Sequence, residues 1–162
     1  MFHSRFEITV ENRQKRFSVS RPGITRWTRK ILRALGWKRA GLSLVLVNEA
    51  QFRRLHRKFL GKDQASDVLA FGQREGKFFP QPGVPFLGDV VISVERAKQV
   101  ASEFGNRWDE ELLLYLCHGV LHLTGYRDST PQGKARMDAK QKEILRKVLG
   151  RTWRFKRRKP LF

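Results

Sequence analysis

The stretch Leu112-Leu113-Leu114-Tyr115-Leu116-Cys117-His118-Gly119-Val120-Leu121-His122-Leu123-Thr124-Gly125-Tyr126-Arg127-Asp128 decides how this chain is read. Its leucines and valine fall on nearly every side of a helix, which predicts a helix buried all round. His118 and His122 lie four apart, on one face and one turn from each other. Two neutral imidazoles in a buried helix need partners, and one metal ion satisfies both. Gly125 follows His122 by three residues and can take the left-handed conformation that ends a helix. The chain then doubles back, and Asp128 can reach the same ion. Two imidazoles and a carboxylate are ordinary zinc ligands and leave a fourth tetrahedral position open, as catalytic sites do. Water in that position ionises near neutral pH and can attack an ester. The expectation is one zinc per chain, held by His118, His122 and Asp128.

Outward from this stretch, the pattern alternates short strands with helices. Downstream, Thr130-Pro131 opens a last helix and Gly150 closes it. Upstream, Asn106 is placed to cap the buried helix. Ser93 can cap the helix before it, with Val94, Ala97, Ala101 and Phe104 on one face and Gly105 at its end. Residues 89–92, 68–71 and 42–47 read as short strands, and residues 72–85 as a Gly/Pro-rich loop. Asn48 and Gln51 form a capping-box pattern that starts a helix carrying Arg53, Arg54, His56, Arg57 and Lys58 and ending near Gly61. Ile24, Trp27, Ile31 and Leu35 recur at helical spacing ahead of Gly36. Residues 6–10 alternate as a strand, whereas Phe17 and Val19 fit either strand or loop. Residues 1–150 read as one domain, and residues 151–162 as a basic tail around Trp153 and Phe155. Such a tail can hold nucleic acid by charge and stacking, or simply solubilise the chain.

Composition narrows the partner. Lys and Arg number 34 against 15 Asp and Glu, a net charge of +19 over 162 residues. Net charge speaks to partners rather than fold, and the partner of such a surface is a polyanion, nucleic acid before membrane. No apolar run approaches the roughly 20 residues that span a bilayer. The lone Cys117 cannot form an internal disulfide, so a reducing cytoplasm is expected. The spacing His-x3-His-x2-Gly-x2-Asp also follows the metzincin arrangement, with Asp in place of the last His. A metalloprotease of HExxH type, however, places its Glu base directly after the first His. Here that residue is Gly119, which counts against peptide hydrolysis.

The segment His118-Gly119-Val120-Leu121-His122-Leu123-Thr124-Gly125-Tyr126-Arg127-Asp128 closely resembles the signature of the YbeY family of bacterial endoribonucleases. Two further segments share the likeness. Gly61-Lys62-Asp63-Gln64-Ala65-Ser66-Asp67-Val68-Leu69-Ala70-Phe71 resembles the family's GKD-x-x-T/S-D/N-VLSF, and Leu87-Gly88-Asp89-Val90-Val91-Ile92-Ser93 its LGDIVIS. All three occur in the family's order and cover residues 42–149. The resemblance implies a single α/β (α+β) domain, a small mixed four-stranded sheet covered by about five helices. It implies one zinc on the matching residues and single-strand-specific cutting of RNA. It implies work in 16S rRNA 3′-end maturation and ribosome quality control, with ribosomal RNA and the small subunit as partners. Two positions depart from the pattern: Asp128 stands where the family often has His, and Leu60 where many members carry Arg.

Other residues carry two readings each. Asp67 is a base candidate or a local cap of its turn. Arg57, Lys62 and Arg127 are substrate-binding candidates or solvated surface, and Arg127 adjoins a ligand. The nucleophile is water or the RNA 2′-OH, which the product ends distinguish. Three function classes stand: a zinc endoribonuclease, a zinc metalloprotease, and a non-catalytic rRNA-binding factor whose metal orders the fold.

Overall fold

In the computed structural model, which describes residues 5–60, 68–72 and 84–150, nine elements follow one another. They are β1 (Arg5–Asn12), α1 (Arg21–Ala34), β2 (Arg39–Val47), α2 (Glu49–Leu60), β3 (Val68–Gly72), β4 (Phe86–Ser93), α3 (Val94–Phe104), α4 (Trp108–Leu123) and α5 (Pro131–Leu149). The strands make one mixed sheet in the order β1-β2-β4-β3. β1, β2 and β4 run parallel, and β3 pairs antiparallel with β4. The fold is thus α/β, a four-stranded mixed sheet with five helices, as the sequence leads one to expect.

Strand position explains strand composition. β2 and β4 lie inside the sheet with helices on both faces, so they read as near-continuous apolar runs. β1 is an edge strand and alternates exposed with half-buried residues. Side chains alternate between faces. Leu42, Leu44, Leu46, Val90 and Ile92 therefore join the main core with residues of α1, α4 and α5. Val47, Leu69 and Val91 point the other way, onto Phe52 of α2.

Most helix ends follow their predicted signals. Gln51 N–H donates to Asn48 Oδ1 at 2.8 Å, and Asn48 N–H to Gln51 Oε1 at 3.3 Å, completing the capping box. Ser93 caps α3, Gly105 ends it at φ 69°, and Thr130 and Gly150 bound α5. α1 starts earlier than its apolar spacing suggests, because Ser20 Oγ accepts from Gly23 N–H and Pro22 occupies the first turn. Asn106 does not cap α4. Arg107 holds the N-cap position without a side-chain bond. Asp109, Glu110 and Glu111 in the first turn complement the helix dipole there. Phe17 and Val19 lie in a loop, which the buried Gln14 organises by bonding both the N–H and the C=O of Phe17. Lys62, Ser66, Asp67, His3, residues 73–83 of the expected loop and the 151–162 tail lie outside the described residues. Among the described residues, no helix is long and apolar enough to cross a membrane.

Candidate metal centre

Close packing sets the orientation of α4. A Cβ on Gly119 would lie 2.5 Å from Val90 Cγ1 and 3.1 Å from Val68 Cγ2. Only glycine lets the helix approach the sheet this closely, so position 119 faces the strands. His118 precedes it by 100° around the helix, and its Nδ1 lies 3.1 Å from Gln141 Oε1 of α5. An amide oxygen only accepts, so this contact puts the imidazole proton on Nδ1 and leaves a lone pair on Nε2. The other end of each ring then matters. His118 Nε2 and His122 Nε2 are 3.1 Å apart, with the rings edge to face.

The turn after α4 delivers the carboxylate. Gly125 N–H donates to His122 C=O, and Tyr126 N–H to Leu121 C=O at 3.0 Å, with Gly125 at φ 105°. This is the Schellman pattern, and it reverses the chain as the glycine spacing suggests. Arg127 Nη1 donates back to the carbonyls of His122 and Tyr126. Gly133 packs the first turn of α5 on Arg127, where a Cβ would meet the Arg127 carbonyl oxygen at 2.5 Å. Held from both sides, Asp128 places Oδ2 at 3.7 Å from His118 Nε2 and 3.5 Å from His122 Nε2.

These three atoms fit a single ion. A tetrahedral zinc with bonds near 2.0–2.1 Å needs ligand atoms about 3.3 Å apart, and the edges here are 3.1, 3.5 and 3.7 Å. It is the one such group of His, Cys, Asp or Glu among the described residues. His118 is 3% exposed, whereas the side chains of His122 and Asp128 are each 21% exposed, so the group opens to solvent on one side. Burial pushes the His118 imidazole down to about 3, helped by the neighbouring His122 and opposed by Gln141. Burial also lowers His122, against the pull of Asp128. Both rings are therefore neutral near pH 7, the form that ligates metal.

The remaining candidates fall elsewhere. Arg57 is exposed on α2, which covers the sheet face opposite the α4 side. Arg127 adjoins the triad, but its guanidinium serves the helix end. Lys62 and Asp67 lie outside the described residues. Cys117 is fully buried, which raises its thiol, and it acts as a core residue. His56 stacks near Phe52 and joins no metal group. Gln141 escapes a motif search, since nothing ties it to residues 118–128. Its one signal is position. It interrupts the buried stripe Met137, Ile144, Leu145 and Val148 of α5 with a polar side chain that is itself buried.

Residues 9–149 match the family model described as Endoribonuclease YbeY. The chain belongs to the YbeY endoribonuclease family. Among its YbeY relatives, that of Geobacter sulfurreducens is 39% identical over 143 residues, covering 86% of this chain and 93% of the relative. The Geobacter metallireducens protein is 37% identical over the same shares. The protein from Anaeromyxobacter dehalogenans is 43% identical over 115 residues, 71% of this chain and 58% of the relative. The solution structure of TM1509 from Thermotoga maritima aligns with a TM-score of 0.58 at 23% identity, over 90% of this chain and 89% of that one. That likeness concerns the fold.

Proposed function

We propose that this chain is a zinc-dependent endoribonuclease that cuts single-stranded RNA. The YbeY family supports the endoribonuclease reading. The observation that carries the metal is the convergence of His118 Nε2, His122 Nε2 and Asp128 Oδ2, with Gln141 fixing the tautomer of His118. Bound zinc supplies a Lewis acid that brings the pKa of water toward neutrality and offsets charge on the phosphate. The chain's own groups do the rest. Gln141 orients the His118 ring, and the Schellman turn and Gly133 hold the Asp128 carboxylate in place. The partly exposed side of His122 and Asp128 gives RNA its access. Asp67 is the candidate base, and Lys62 and Arg127 are candidates for holding phosphate at the cut; Arg57, on the helix that covers the other sheet face, would contact RNA away from the metal ligands.

The finer setting rests on the family resemblance: 16S rRNA 3′-end maturation and ribosome quality control in the cytoplasm, with the small subunit as partner. Peptide hydrolysis is disfavoured by Gly119, whose site against Val90 and Val68 has no room for a glutamate.

Cleavage assays on a 3′-extended 16S precursor, a generic single-stranded RNA and casein test this reading. RNA cutting by the zinc-loaded protein, lost in His118→Ala, is the expected result. Casein cleavage without RNA cleavage would move the assignment to a protease, and RNA binding without cutting to an assembly factor. A 2′,3′-cyclic phosphate on the products would assign attack to the 2′-OH, not to water.

A further inference from the structure

Helix α1 differs from the other four helices in charge. It carries Arg21, Arg26, Arg29, Lys30 and Arg33 and no Asp or Glu. Each of the other helices has acidic residues, such as Glu49, Glu95, Asp109 and Glu143. Elsewhere those carboxylates pair with nearby cations: Glu49 with Arg96, Asp109 with Arg107, Glu143 with Lys140 and Lys147. Arg26, Arg29 and Lys30 make no ion pair among the described residues, as is also true of Arg57 on α2 and of Arg136, Lys142 and Arg146 on α5; what sets α1 apart is the absence of any carboxylate. Arg33 lies over the Phe6 ring.

The four inner cations are also aligned. Positions 26, 29, 30 and 33 follow i, i+3, i+4, i+7, one side of a helix. All four are exposed, and the opposite side, Ile24, Thr28, Ile31 and Leu32, is buried. Like charges at these spacings repel and oppose helix formation, so folding alone does not favour the pattern. The stripe spans about 10 Å at 1.5 Å per residue, room for a few consecutive phosphates. It offers charge without exposed aromatics, so it suits the sugar–phosphate backbone and not stacked bases. It also lacks the exposed apolar residues that a helix lying on a lipid surface would insert.

Its place in the fold separates it from the metal ligands. α1 packs on β1, α4 and α5 through its buried side, Ile24, Thr28, Ile31 and Leu32, so its four exposed cations face away from α4 and the metal ligands. β1 and β4 are two strand spacings apart, about 10 Å. We propose that the outer face of α1, through Arg26, Arg29, Lys30 and Arg33, is a second RNA-contact surface that grips the backbone flanking the cut. The proposal rests on RNA being the substrate and is independent of the metal chemistry.

The test compares two triple variants of equal charge change, Arg26→Gln/Arg29→Gln/Lys30→Gln on α1 and Arg136→Gln/Lys142→Gln/Arg146→Gln on α5. Binding of a labelled single-stranded RNA is followed by anisotropy across a salt series. Circular dichroism checks the fold, and Lys30→Glu serves as a single-site alternative if the α1 triple fails to fold. The α1 triple should bind at least about 10-fold more weakly at low salt, with the slope of log K against log salt shallower by about 2, at roughly 0.7 per lost phosphate contact. It should raise KM on long RNA and leave kcat unchanged. The α5 triple should bind nearly as the unaltered protein. Equal losses in both triples would show diffuse charge and overturn the proposal, as would an α1 triple that binds normally. Weaker binding to phosphatidylglycerol vesicles with RNA binding intact would make the stripe a membrane contact and overturn it too. If the unaltered protein binds no RNA, the endoribonuclease reading itself fails.

Discussion

At the scale of single residues, Gln141 sets the tautomer of His118, on which the proposed zinc site depends. Its Oε1 fixes the proton on Nδ1, and such partners of ligating histidines typically contribute 10–100-fold to metal affinity. Gln141→Leu should therefore weaken zinc binding by about that factor while the fold persists, and Gln141→Glu should retain it. Chelator competition monitored by zinc dye measures both; equal affinity in all three proteins would remove the role. A second expectation follows from the depressed imidazole. His118 titrates near 6.5 when unfolded and is held to about 3 when folded. Between those values the unfolded chain binds the extra proton, so stability of the metal-free protein falls as pH drops from about 6.5 toward 3. His118→Gln should flatten that part of the pH–stability curve, read from urea midpoints. The triad is legible in the sequence because all three residues lie within one helix and its turn. Gln141 is not, because the docking of α5 on α4 brings it there.

At the scale of elements, α4 decides the geometry of the centre. Its apolar character on all sides announces burial, and residues from Glu111 through Leu121 are indeed buried. Gly119 reads in the sequence as an absent base; in the fold it is the point of closest approach to the sheet. Gly119→Ala should cost about 1–3 kcal/mol, the usual penalty for overpacking. Gly119→Ala/Val90→Ala should lose less than the sum of its single changes, because Val90 Cγ1 is the atom in the way. Denaturant midpoints of the four proteins decide this, and strict additivity would contradict it. Strand existence is legible from apolar runs, but the insertion of β4 between β2 and β3 is not, since pairing order is a long-range property. Asn106 fails as a cap for a related reason: the backbone enters the helix one residue later, and the acidic first turn takes over its electrostatic role.

At the scale of the molecule, a net charge of +19 points to a polyanion without saying where it lies. The fold distributes that charge unevenly: α1 carries five cations and no carboxylate, whereas α2 and α5 mix their cations with carboxylates. Net charge alone could not show this; the fold adds that Arg26, Arg29, Lys30 and Arg33 all lie on the exposed side of α1. The metal also links to the whole. A ligand that binds only the folded state adds about 2.7 kcal/mol at 100 times its Kd, so zinc removal should lower Tm and re-addition restore it.

The most direct test of the account is zinc content per folded chain, measured by elemental analysis on the unaltered protein and on His118→Ala and Asp128→Ala. One zinc per chain is expected in the unaltered protein, and little or none in either variant. A folded protein that takes up no zinc when offered it, or a His118→Ala variant that keeps a full equivalent, would contradict it.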